Sequence, residues 1–126
     1  MLTITAESLK SKVGREKAIF KIVEALRADE IVIGPIDQGY AYIADPNSES
    51  AMAKIKEIKS MTPSSYFALL VHSVDQIPQY CGATSTEQRL LAKEFWPGPL
   101  LMECEVLPGI TGSFGSDGSP DSLVFR

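Results

Sequence analysis

Apolar residues recur along this chain in two spacings, and the switches between them predict its elements. From Arg15 to Ala28 the spacing is helical: Ile19, Phe20, Val23 and Leu26 fall on one stripe, with Arg15, Lys17, Lys21 and Arg27 elsewhere around the helix. A β-branched run, Ile31 to Ile33, follows almost at once and predicts a short buried strand. Gly34-Pro35 is expected to end it, because proline offers no amide to a ladder and fixes its own φ. A second short run, Ala41 to Ala44, comes after the polar connection Asp37-Gln38-Gly39-Tyr40. Asp45-Pro46-Asn47 predicts a turn, with Asn47 or Ser48 capping a helix from about Glu49 to Ser60. The buried side of that helix is Met52, Ile55 and Ile58.

Thr62 to Ser65 predicts a loop, and Tyr66 to Val71, a continuous apolar run, the clearest strand. Val74 to Tyr80 reads as one short helical turn that Pro78 ends or kinks. Thr84 or Ser85 then begins a helix with Glu87 and Gln88 at capping-box spacing and Leu90, Leu91 and Phe95 as its apolar side. Trp96-Pro97-Gly98-Pro99 stops it. Leu100 to Val106 predicts a strand, Pro108 to Pro120 a Gly/Ser-rich loop, and Ser122 to Phe125 a last strand. Residues 1–14 read as an N-terminal arm or edge strand, since Leu2 and Ile4 alternate only weakly. Alternating helices and strands predict one α/β domain over residues 1–126, with a parallel or mixed sheet.

Composition narrows the function classes. The apolar fraction of 44% and charged fraction of 22% are those of an ordinary globular protein. Twelve Lys and Arg against sixteen Asp and Glu give a net charge of −4, which excludes a wholly basic nucleic-acid binder but not a local basic patch. Cys81, Cys104 and the single His72 fall short of the four ligands of a structural zinc cluster, so two reduced, packed cysteines in a cytoplasmic protein are expected. No apolar run reaches the roughly 20 residues of a membrane span, and the N-terminus does not read as a signal peptide.

The candidate chemistry centres on the connection after Ile33. A strand that delivers an acid, an amide, a glycine and a tyrosine together reads equally as a small-molecule pocket wall and as an ordinary strand-to-strand turn. His72, at a strand end, reads as structural or surface-exposed. Lys54, Lys56 and Lys59 form a basic helix face, on which Lys59 lies at the helix end where a cation can meet an anionic ligand. Ser113, Ser116 and the glycines around them could cradle a phosphate through backbone amides, with a flexible loop as the simpler reading.

Four segments carry a family resemblance. Pro35-Ile36-Asp37-Gln38-Gly39-Tyr40-Ala41 resembles the Pro-Thr-Asp/Glu-x-x-Tyr-Gly segment of the YrdC family, and Ile55 to Lys59 the helix leading into its Lys-x-Arg motif. Phe95-Trp96-Pro97-Gly98-Pro99 is similar to its Trp-Pro-Gly-Pro segment, and Asp121 to Arg126 to its strand ending in Val-Arg. They come in the family's order over roughly residues 17 to 126. Asp37 to Ala41 and Tyr66 to Leu70 look closer to the YciO branch.

The resemblance implies a YrdC-like twisted mixed sheet with helices around a positively charged cavity. It implies synthesis of threonylcarbamoyl-AMP from ATP, L-threonine and bicarbonate for the t6A modification of tRNA, with Mg²⁺ on the phosphates and no permanent cofactor. Asp37, Tyr40, Lys59 and Arg126 are then the substrate or nucleotide contacts, with no catalytic residue assigned. Lys54 and Lys56 would face double-stranded RNA or tRNA. Ile36, Met61 and Leu101 stand where the family carries threonine, arginine and threonine, so polar donors are lost. The family's Ser-x-Ser-Ala-Asn segment would follow Arg126, so the sheet is expected to be incomplete on its C-terminal side. Ser122 to Phe125 would then be an exposed edge through which a homodimer could form. A catalytically inactive RNA-binding or partner-binding protein is the alternative.

Overall fold

Ser11 accepts a hydrogen bond from the Gly14 amide at 3.0 Å and so opens the first helix, α1 (Lys12–Arg27). The computed structural model describes residues 3–62, 65–108, 110 and 122–126. The N-terminal residues it describes form a 3₁₀ turn, Glu7–Leu9, and not the edge strand considered from the sequence. Beyond α1 the chain passes through Asp29, at a left-handed φ of 59°, into β1 (Val32–Ile36). β1 pairs antiparallel with β2 (Gly39–Ile43) from Val32 opposite Ile43 to Ile36 opposite Gly39, with Asp37 and Gln38 as the turn. Gly34-Pro35 therefore lies inside a strand. Among the described residues β1 has β2 as its one neighbouring strand, and proline is tolerated where one edge of a strand needs no donor.

Ser48 caps α2 (Glu49–Ile58), accepting from the Ala51 amide at 3.3 Å. Met52 and Ile55 are buried as the pattern predicts, while Ile58, at the last turn, is exposed. β3 is Ala68–Leu69, shorter than the predicted run Tyr66 to Val71, although a backbone bond from Val71 N to Arg126 O carries the pairing one step beyond it. After a 3₁₀ turn at Val74–Gln76 comes α3 (Pro78–Cys81), which Pro78 begins, its missing amide falling among the helix's unpaired first donors. Ser85 and Gln88 form the capping box of α4 (Thr86–Phe95), with Gln88 N to Ser85 Oγ at 3.2 Å and Ser85 N to Gln88 Oε1 at 2.8 Å. β4 (Met102–Glu105) and β5 (Ser122–Phe125) complete the described elements. The serines at 113 and 116 lie outside the described residues.

The second sheet runs β3-β5-β4, with β5 parallel to β3 and antiparallel to β4. This corrects the expectation for Ser122 to Phe125: the last strand is central and hydrogen-bonded on both sides. Leu123 and Phe125 are buried and Ser122 and Val124 half-buried, with β4 along the whole strand and β3 beside Val124 and Phe125, so β5 is not the exposed edge expected for an edge-to-edge homodimer. Around β5 the core gathers Met52, Leu69, Ile77, Ala92, Met102 and Cys104. The Phe125 ring is fully buried, 6.0 Å from that of Tyr80. The stripe predicted on α1 is rotated: Ala18, Ile22, Ala25 and Leu26 are covered, while Ile19, Phe20 and Val23 face outward. Among the described residues no helix is long and apolar enough to cross a membrane.

Candidate functional site

The carboxyl ends of β1, β3 and β5 converge on one cleft of about 710 Å³. In open α/β sheets this is where ligands bind, because the strand ends leave a crevice that loops can furnish. β1 delivers Ile36 and Asp37, β3 runs on into His72 and Ser73, and β5 ends at Arg126. The opposite wall is one face of α4. Arg89, Ala92, Lys93 and Trp96 follow helical spacing, and Pro97-Gly98 closes the rim.

Arg126 is anchored by its backbone. Its amide donates to Leu69 O at 2.9 Å and its carbonyl accepts from Val71 N at 3.0 Å, continuing the β3–β5 ladder. From that fixed base the guanidinium reaches across to the carboxylate of Asp37, 89 residues away in sequence, and pairs with it. The two side chains are only 12% and 30% exposed. A second pair, Arg89 to Asp75 at 3.0 Å, lies farther out in solvent. His72 is held by its backbone, its amide donating to Gln76 Oε1 at 2.7 Å. On the rim, Trp96 Nε1 donates to Leu100 O at 2.8 Å, fixing the turn after α4. Gly98 is required there, since a Cβ would lie 2.3 Å from Phe95 O.

Two of the four expected substrate contacts, Asp37 and Arg126, are thus brought together. Tyr40 is 78% exposed on the hairpin, and Lys59 is an exposed residue capping the end of α2; neither lines the cleft. Lys54 is exposed on α2, whereas Lys56 is half-buried. Of the three apolar departures, Ile36 lines the cleft, while Met61 and Leu101 do not. His72, Ser73, Arg89 and Lys93 were not singled out as ligands from the sequence. The signal was a basic pair at i, i+4 and a polar dipeptide directly after a strand.

A smaller cavity of about 320 Å³ holds both cysteines, Gln88 and Thr84. Both thiols are free, and Cys81 Sγ donates to Cys104 O at 3.6 Å. Burial, with the neighbouring Cys104 adding to it, pushes the Cys81 thiol from 9.0 up to about 11. Burial also raises Cys104, against the hydrogen bond from Gln88. Neither is a ready nucleophile. Among the described residues no group of three or more His, Cys, Asp or Glu could hold a metal ion.

Chemically, the larger cleft offers a planar guanidinium, further cations and a hydroxyl around an apolar floor. That set suits a carboxylate or phosphate on a partly apolar ligand.

The Sua5/YciO/YrdC family model, described as telomere recombination, matches residues 24–112. A threonylcarbamoyl-AMP synthase of Wigglesworthia glossinidia brevipalpis is 30% identical over 100 residues, covering 78% of this chain and 49% of its own length. One of Aliivibrio fischeri is 26% identical over 106 residues, 79% of this chain and 57% of its own. The chain spans about half the length of these curated relatives. In fold it is similar to P. abyssi Sua5 complexed with L-threonine, with a TM-score of 0.77 at 23% identity over 88% of this chain and 32% of that one. E. coli YciO superposes with a TM-score of 0.75 at 19% identity, again over 88% of this chain and 53% of that one. The mixed α/β architecture around β5 is theirs, and by sequence the chain belongs to the Sua5/YciO/YrdC family.

Proposed function

We propose that the cleft at the ends of β1, β3 and β5 binds the substrates of threonylcarbamoyl-AMP synthesis, L-threonine and MgATP, with bicarbonate as the third reactant. The observation that carries this reading is the meeting of Asp37 and Arg126 in that cleft, on a chain whose relatives are named for the reaction. Arg126 takes the threonine carboxylate or a phosphate in a bidentate grip, while Arg89 and Lys93 add positive charge on the α4 wall. Holding a carboxylate and a triphosphate side by side requires several cations around one hollow, and positioning them is most of what such a reaction needs. Mg²⁺ enters with ATP as part of the substrate.

Calorimetric titration with MgATP, with and without L-threonine, tests the reading on the wild type and on Arg126→Ala. Binding that tightens with threonine and is lost in the variant is expected, followed by pyrophosphate release when bicarbonate is added. Absence of binding at millimolar ligand would remove it.

A second reading is favoured by α2, where Lys54 on the helix and Lys59 at its C-cap are both exposed. In this reading α2 contacts the backbone of a double-stranded RNA or tRNA, with or without catalysis in the cleft. Affinity that falls steeply with salt, and falls further in Lys54→Ala, is its expected signature. RNA affinity that is independent of both salt and these lysines would dismiss it.

A further inference from the structure

We propose that Asp37 is a built-in competing anion, occupying Arg126 in the empty cleft until the carboxylate or phosphate of a ligand replaces it. The inference rests on the proposed ligand cleft and assigns a role inside it that no resemblance supplies.

It starts from how unevenly the two partners are held. Arg126 is locked by backbone bonds to Leu69 and Val71, and its side chain is only 12% exposed. A guanidinium that far out of water is costly unless an anion compensates it, so an empty cleft needs an internal carboxylate. Asp37 supplies one from the exposed two-residue turn of the β1–β2 hairpin, which among the described residues pairs with no further strand. The cation thus stands on the anchored strand, and the acid on the exposed turn that faces it.

The exchange keeps the guanidinium paired. A carboxylate or phosphate presents the same oxygens to it that Asp37 does, so Arg126 stays compensated while the displaced Asp37 carboxylate turns to solvent at the exposed turn. A neutral ligand cannot make the exchange, because it would leave both charges unpaired in a recessed site. The pair thus filters for anionic ligands and lowers their apparent affinity by the strength of the contact they displace. It also ties occupancy to the hairpin, since releasing Asp37 releases the one described ion pair that joins the β1–β2 turn to β5. The outer pair, Arg89 with Asp75, has side chains 49% and 74% exposed and exerts no comparable hold.

The test is titration of wild type, Asp37→Asn and Glu24→Gln, an exposed α1 acid outside the cleft, with inorganic pyrophosphate and separately with L-threonine. The two arms distinguish a phosphate-bearing from a carboxylate-bearing occupant. Asp37→Asn is expected to bind at least one probe roughly three- to tenfold more tightly than wild type, with Glu24→Gln near wild type. The gain should vanish in Asp37→Asn combined with Arg126→Gln, which a merely structural aspartate would not show. Asp37→Asn binding both probes no more tightly than wild type, including no binding by either protein, overturns the proposal. A wild-type measurement guards against misfolding of the variant: the Asp37 carboxyl carbon resonance should shift on probe binding as it loses the guanidinium, and a bound probe that leaves it unmoved also overturns the exchange. Tighter pyrophosphate binding without any MgATP binding would keep the competing anion and remove the synthase reading. MgATP and threonine binding that Asp37→Asn fails to improve would do the reverse.

Discussion

β5 is covered on both faces and bonded along both edges, whereas the β1–β2 hairpin beside the same cleft leaves one face open. In the hairpin register Ile33 lies opposite Tyr42 and Pro35 opposite Tyr40, and all four are exposed. The neighbouring α1 likewise shows Ile19 and Phe20, 61% and 64% exposed, while Phe125 shows nothing. The cleft is therefore built from one rigid wall and one lightly held wall, joined at Asp37 and Arg126. A site of that kind can fix its cation on the packed side and let the loose side respond to a ligand.

That contrast can be broken at its strong end first. Phe125→Ala, which empties the centre of the core, is expected to cost about 3–5 kcal/mol in chemical denaturation. Gly98→Ala should cost roughly 1–3 kcal/mol through the clash with Phe95 O, and should also disturb ligand binding at the rim. Ser85→Ala removes half of a capping box and is expected to lower stability by about 1 kcal/mol. Phe20→Ser, on the open face of α1, should change the unfolding free energy by less than about 0.5 kcal/mol. A cost there equal to that of Phe125→Ala would abolish the distinction between the two regions.

The remaining effect is silent at neutral pH and concerns alkaline conditions. Because the folded Cys81 thiol ionises near 11 and its unfolded form near 9.0, the neutral thiol favours the folded state. Its contribution is complete below about pH 9 and fades as the pH climbs towards about 11. Alkylation of Cys81 by iodoacetamide should accordingly stay slow at pH 8 and accelerate only well above pH 9, which mass spectrometry of the intact chain can follow. Fast labelling at pH 7 would contradict the packed-thiol assignment.

What could be read from the sequence was what is local. The Ser85–Gln88 capping box, the Ser48 cap and the Met52–Ile55 face need only neighbouring residues, and they stand where the pattern put them. The place of β5 needed pairings with β3 and β4, both distant in sequence, and a short apolar run carries no record of how many neighbours it has. Gly34-Pro35 misled for the same reason, since its tolerance depends on β1 having a single neighbour. On α1, apolar residues ring much of the helix, so periodicity alone does not choose which side is covered. In the site, Asp37 and Arg126 were legible through motifs, but that they pair with one another is a matter of tertiary structure. Arg89 and Lys93 became visible only once α4 was seen to form the far wall.

The most direct test of the central claim, that the ligand cleft lies at the ends of β1, β3 and β5, is amide hydrogen exchange with and without MgATP plus L-threonine. The account predicts added protection at residues 36–38, 70–75 and 92–98, with the hairpin exchanging faster than β5 in the empty protein. Protection confined to residues 54–59 on α2, or none anywhere at saturating concentrations, would contradict it.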